Sequence, residues 1–447
     1  MLLPNPSPAA LAALFLASAL TLSAGAQFRS TPDGRGVESA RGPESLQLRW
    51  KHQTQGPVIS SPVTAGALVF FGSHDNQLRA VEARTGRLQW SYTTGGDIAS
   101  APAVADGLVV ALSRDGKCHA VDAASGTAIW TFETGGESRY TRPGVCYTQP
   151  FTETVPDPWD LFLSSPVISQ GKVVFGSGDS HLYALDLKTG ALLWKFKTGD
   201  VVHASPVAAD GVVYCGSFDK TFYALDEKTG ALIWSFKTGS DDARHLMEGI
   251  LSAAVVAEGS VYFGARDAKF YCLDAKTGTP RWVYDAGGTW IVASPVYLEG
   301  RVYFCTSDSH VFIGLDATTG KEVSRGSFKG FGLSSPIIAG KTAYVGSFAG
   351  ECYAFDLVTG KLTSVFSTPG QIARQDAIFD SNGAVRNEVF VGCDSLDDTI
   401  VAIRTKLFSV GTMISSPTVA DGIVFIGSAD GHLYALGEPA AESASPK

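Results

Sequence analysis

The chain has no C-x-x-C motif, no run of lysines and arginines, and no stretch of 18 apolar residues beyond its first 26 positions. Without C-x-x-C there is no sign of a zinc ribbon or of c-type haem attachment. Without a basic run, and with a formal net charge of −9, a phosphate backbone is repelled, so nucleic acid is excluded as a partner. Without a long apolar run, the body of the chain carries no transmembrane segment. H-E-x-x-H, G-x-S-x-G and phosphate-loop motifs are missing too, which removes the signatures of a metalloprotease, an α/β-hydrolase and a nucleotide enzyme. No segment of useful length shows helical periodicity.

The first 26 residues stand apart. Leu11 to Leu22 is apolar and uncharged, and Ala24-Gly25-Ala26 forms an A-x-A-like cleavage signal before Gln27. The stretch reads as a secretory signal peptide, although residues 1–10 contain no Lys or Arg. No cysteine precedes Cys118, so a lipid-attachment cysteine is not expected. Seven cysteines are an odd number for an exported chain. Cys118, Cys215, Cys272, Cys305, Cys352 and Cys393 fall in strand patterns and are expected to be buried thiols. Cys146 falls in an irregular loop and is expected to be the most exposed.

What the chain has in abundance is repetition. Seven segments carry an acid, two residues, Thr or Ser, then Gly, starting at Glu82, Asp122, Asp186, Asp226, Asp274, Asp316 and Asp356. In five of them a Trp follows eight residues after the acid: Trp90, Trp130, Trp194, Trp234 and Trp282. Ser324 and Ser364 take that place in the other two. Each unit reads as four short strands bounded by Gly and Asp and rich in β-branched and aromatic residues. The Asp accepts from backbone N–H groups just beyond it, and the Gly takes the positive φ that closes a tight hairpin. The Trp then returns over the blade face.

First-strand marks recur near Ser61, Ala101, Ser165, Ser205, Ala253, Ser294, Ser335, Asp376 and Ser416. A spacing of about 40 residues is that of four-stranded propeller blades. This predicts an all-β propeller of nine blades, or eight if the degraded 376–412 unit is not a true blade. The last unit has three strands, and Leu46 to His52, with Trp50, supplies the fourth. The amino-terminal strand is therefore expected to close the ring. The domain reading is a signal peptide at 1–26, a linker at 27–45, one propeller at 46–437 and a disordered tail at 438–447.

The pattern Ala-x-Asp-x-x-Thr-Gly-x-x-x-Trp at Ala184–Trp194 and Ala224–Trp234 resembles the PQQ-like (quinoprotein-type) repeat. The resemblance runs over roughly residues 46–437. It implies one of two roles. The leading one is a non-enzymatic propeller of the periplasm or cell exterior, a protein-interaction scaffold or ligand-binding module similar to BamB-type proteins of outer-membrane assembly. The alternative is an enzyme: a divergent dehydrogenase using PQQ and Ca²⁺, or a polysaccharide-processing propeller. The vicinal Cys-Cys pair typical of the alcohol-oxidising branch is missing. No cofactor is expected under the leading reading, and no catalytic or metal-binding residue is singled out. Asp75, Asp115, Asp179, Asp219, Asp267, Asp308 and Asp430 recur at one turn and are read as turn formers.

Departures from the repeat supply the candidate site. Two residues before the first-strand marks the repeat is apolar, except at His203 and Arg374. With Gln375, Trp290 and Phe331 these residues are expected to form a polar-aromatic pocket at the channel mouth, holding a small ligand or an envelope protein. Insertions at 135–163 and 240–249 leave from links that share one face of a propeller. Arg139, Tyr140, Arg142, Trp159, His245 and Glu248 are the candidate binding residues there.

Overall fold

The computed structural model describes residues 25–143, 154–157, 159–240, 248–393, 398 and 401–439. Eight four-stranded antiparallel blades form a ring. Blades 1 to 7 span residues 63–93, 103–133, 167–197, 207–237, 255–285, 296–327 and 337–367. Blade 8 combines Thr418–Ala420, Ile423–Ser428 and His432–Gly437 with the amino-terminal strand Gln47–Gln53. That strand pairs antiparallel with the last, Trp50 opposite Ala435, so the two ends of the chain close the circle as expected.

The repeat residues explain why the blades stay together. Six Trp indoles each donate to a carbonyl of the following blade at 2.9–3.0 Å, as Trp234 does to Ala275. Each ring covers the glycine of that blade's acid-x-x-Thr/Ser-Gly turn. At Gly278 φ is +70°, and a Cβ would lie 2.5 Å from the Trp234 ring. Glycine is thus required twice over, by conformation and by space. Replacing Trp234 by Ala is expected to cost about 3–5 kcal/mol, read from the urea midpoint.

The paired serines of the first strand make a second seam. The hydroxyl of Ser60, Ser100, Ser164, Ser334 or Ser415 accepts an N–H from the second strand of its own blade. The next serine takes an N–H from the preceding blade: Ser165 from Ala101, Ser205 from Ser165, Ser294 from Ala253, Ser335 from Ser294, Ser416 from Ser335, and Ser61 from Ser416. The turn aspartates make a third. Asp75, Asp115, Asp179, Asp219 and Asp267 each accept an N–H from a residue just past the previous blade's outer strand. Their acceptor capacity serves the turn and the neighbouring blade, which is why the residue recurs.

The 376–412 unit is not a blade. Between Ser367 and Thr418 the chain forms helix α1 (Pro369–Ile378) and short helical turns. Thr368 caps α1, accepting from the Gln371 N–H at 3.1 Å, and Pro369 sits in its first turn. A capping Thr followed by Pro starts a helix, and Pro cannot donate to a ladder. The ring therefore has eight blades. Around Val389, inside the unit that would have been a ninth blade, the chain makes a 3₁₀ turn, Asn387–Phe390. Cys393 accordingly lies outside any strand and is half-buried. The other five strand cysteines are buried as expected; Cys146 lies outside the described residues.

Residues 25–38 form a strap across the lower face, the one carrying the first-to-second strand turns. The strap meets the innermost strands in turn. Ala26 pairs with Val104, and Gln27 Oε1 accepts from the Ile168 N–H. Carbonyls of Pro32, Asp33, Arg35 and Gly36 accept from Ala208, Val256, Tyr297 and Ile338. Glu38 accepts from the Thr418 hydroxyl. Arg29 is buried beneath the ring and donates to the carbonyls of Pro295 (2.5 Å) and Pro336. Burial, against weaker opposing charges, pulls its pKa down to about 9.

Candidate binding site at the channel mouth

The upper face carries the links between blades and the second-to-third strand turns. All three long departures from the repeat leave from it: 135–163, 240–249 and 368–417. Phe28 of the strap enters the axis from below, and Phe162 and His203 line it from above. The axial cavity left between them is about 40 Å³, room for roughly one water.

His203 is buried, as its place in an apolar position requires, and the first insertion supplies its partners. Its Nδ1 lies 2.7 Å from Asp160 Oδ1 and its Nε2 3.3 Å from Glu137 Oε2. Two carboxylates on the two ring nitrogens call for the imidazolium, which donates from both. Burial pulls the pKa of His203 down, but Asp160 and Glu137 outweigh it and lift the value to about 9. A pKa raised on folding contributes stability that is complete below the unfolded value of 6.5 and lost as pH rises through about 9. The contribution is on the order of 3 kcal/mol. The stability difference between wild type and His203→Gln is expected to be largest below pH 6.5 and to shrink toward pH 9. A difference that stays flat in denaturation midpoints across that range would remove the ionic pair from the account.

A second buried pair clips the same insertion to blade 5. Arg266 Nη1 meets Asp157 Oδ2 at 2.5 Å, and the two side chains are 1% and 0% exposed. Burial pushes the Asp157 carboxyl up, with Arg266 opposing the shift. The guanidinium lies between two rings, 5.1 Å from Phe218 and 4.5 Å from Trp290. Around these pairs an aromatic mouth forms. Tyr140 stacks on Phe218 at 4.4 Å, and Trp159 meets Phe331 and Phe348 edge-on at 5.6 and 5.8 Å.

The structure gathers some of the predicted residues and scatters others. His203, Trp290, Phe331, Tyr140 and Trp159 all belong to the mouth. Arg374 does not: it lies on α1, exposed, with Nη1 3.4 Å from the Ser409 carbonyl. Gln375 is half-buried, and its carbonyl takes the Phe379 N–H that ends α1. Both were placed by a register that assumed a blade. Glu248 is buried and paired with Lys220 at 2.7 Å. Arg139 is half-buried at the start of the insertion. Arg142 lies on Thr141–Pro143, which pairs with Thr154–Pro156, and its side chain lies outside the described residues. His245 also lies outside them.

A family model described as outer membrane protein assembly factor BamB matches residues 35–145, 153–255 and 243–436. The chain belongs to the BamB family.

Solved structures agree on the fold of this BamB-family chain. BamB from Moraxella catarrhalis superposes with a TM-score of 0.62 at 18% identity, covering 90% of this chain and 99% of that one. A europium-containing methanol dehydrogenase gives 0.66 at 14%, covering 92% and 98%. Quinohemoprotein alcohol dehydrogenase from Comamonas testosteroni gives 0.66 at 13%, covering 97% and 83%. No curated protein matches the sequence.

The dehydrogenase likenesses raise the question of a quinone. A ligand of that size needs a slot of roughly 300 Å³ or more. Here Tyr140, Trp159, Phe331 and Phe348 pack on one another over the axis, and the axial cavity is about 40 Å³. Among the described residues, no three His, Cys, Asp or Glu side chains gather to hold a metal ion. The described residues of this BamB-family mouth gather no ligand set for the calcium, and the 40 Å³ axial cavity is too small for the quinone. An open groove of about 710 Å³ lies to the side, between blades 8 and 1 and the 403–410 turns. His74, Asp97, Thr405, Ser409 and Asp430 are among its lining residues.

Proposed function

We propose that this protein is a non-enzymatic propeller of the bacterial envelope, periplasmic or external, that docks a partner protein on its upper face. The observation that carries the reading is the state of the mouth. Its first insertion is anchored by two buried ion pairs, and the axial cavity beneath it is only about 40 Å³. Membership of the BamB family supports it. So does the concentration of every long insertion on one face, since loops on a rigid scaffold are where recognition concentrates. No helix among the described residues is long and apolar enough to cross a membrane.

The test is photo-crosslinking in the native envelope, with the probe at Ser138 or Thr405 on the upper face and at Thr85 or Thr229 on the lower. A discrete protein adduct from the upper positions alone is expected. Equal labelling from both faces would overturn the reading. So would dye-linked alcohol oxidation by the purified protein supplied with PQQ and Ca²⁺.

A further inference from the structure

We propose that Arg266 and Trp290 form a receptor for a single carboxylate group, presented by the partner that docks on the upper face. The proposal rests on the docking reading and adds the chemistry of the contact. It starts from three hydrogen-bond donors that the protein leaves unused. Asp157 takes one nitrogen of Arg266, Nη1. The Nε of the same guanidinium is buried and has no acceptor, and the indole Nε1 of Trp290 is buried without one as well. Among the described residues no hydrogen bond to Nη2 is found either.

Buried polar groups are ordinarily satisfied, so orphaned donors clustered on touching side chains mark a place where an acceptor belongs. Nε and Nη2 of a guanidinium form one planar fork, and a carboxylate is the group that fills such a fork with two parallel bonds. Trp290, with its ring 4.5 Å from the guanidinium carbon, carries the third unused donor. Asp157 already balances the Arg266 charge, so geometry selects the ligand rather than net attraction. That favours a singly charged carboxylate over a phosphate, whose second charge would face Asp157.

Access runs through Trp290. Unlike Arg266, it is half-buried, and it follows Gly287 and Gly288, whose φ values are +73° and +83°. Those φ values are ones that glycine takes without strain, so the link reaches Trp290 by a path other residues would resist. Its own backbone is held by the Ser307 N–H at 2.9 Å and by a long contact to Asp308. Binding then requires the indole to swing aside and uncover the fork, with Phe218 and Asp157 holding the guanidinium.

The experiment follows the indole N–H resonance of Trp290 in the full protein labelled with ¹⁵N-tryptophan, assigned by its loss in Trp290→Phe. Probes are acetate, inorganic phosphate, and a short peptide with either a free carboxyl terminus or an amidated one. Acetate is expected to shift that resonance saturably, the free peptide to do so at lower concentration, and the amide and phosphate to fail. Acetate acting as well as the peptide would mean a site for free small acids and would overturn a partner-borne ligand. Arg266→Lys keeps a cation for Asp157 but loses the fork, and should weaken binding by about tenfold or more. Should that variant unfold, Trp290→Phe, which retains the ring, tests the third donor by calorimetry, with binding expected to weaken about fivefold. No movement with any carboxylate would mean that a bound water fills the place, and the receptor would fall. Crosslinking from Ser138 would then still report on docking, so the two ideas fail separately.

Discussion

Replacing Arg266 by Met is expected to cost about 3–5 kcal/mol of folding stability, because it strands the buried Asp157 carboxylate without its cation. Arg266 and Asp157 are both almost fully enclosed, so solvent cannot take over the lost contact. Removing both charges together, as Arg266→Met with Asp157→Leu, is expected to recover most of that loss, since a buried ion pair and an apolar pair of similar volume are often close in free energy. Urea denaturation of the two single variants and the double closes the cycle. A double variant no better than Arg266→Met would show that the pair does more than balance charge. The stacking of Arg266 between Phe218 and Trp290 would then be the term to examine.

Removal of residues 25–53 is expected to abolish cooperative folding. Blade 8 would keep three strands and lose Trp50, whose indole bridges to Ala83 of blade 1. Leu433, Tyr434 and Ala435, now fully buried, would lie at an open edge. The strap would vanish with its bonds to the innermost strands of seven blades. An isolated sheet edge of that length invites pairing with other chains, so aggregation is the expected outcome in size-exclusion chromatography. Thermal denaturation followed by circular dichroism should show no sharp transition. A monomeric product with a sharp transition would mean that the ring holds without its seam.

The periodic residues made most of the fold legible. Asp, Thr and Gly at fixed offsets state the hairpin, the Trp states the outer strand, and the lone Trp50 strand states the closure. The 376–412 region was misread because a spacing of about 40 residues was extended through it, while its own helix signal, Thr368 before Pro369, is brief. Cys393 and Arg374 were misplaced for the same reason. His203 stood out as a polar residue in an apolar position. Its partner Asp160 lies in an insertion without any repeat, so no pattern could pair them. Arg266 was missed although the frame contained it. It occupies the middle of the second-to-third strand turn, a position held by His74, Arg114, Phe218 and Phe348 in other blades, and the repeat sets no residue type there. Tryptophan counting offered a clue as well. Of the chain's eight tryptophans, six dock blades, and the remaining two, Trp159 and Trp290, sit at the mouth. The strap gave no signal because its contacts are made largely by backbone carbonyls, which any sequence possesses.

The serine seam also governs where this molecule can vary. A stack of repeats with free ends can gain or lose a unit and simply become longer or shorter. In a circle sewn shut from Ser61 back to Ser416, one wedge more or less would change every angle at once. Growth in such an object is confined to the places where consecutive wedges are tethered, and this chain has lengthened there three times, on a single side.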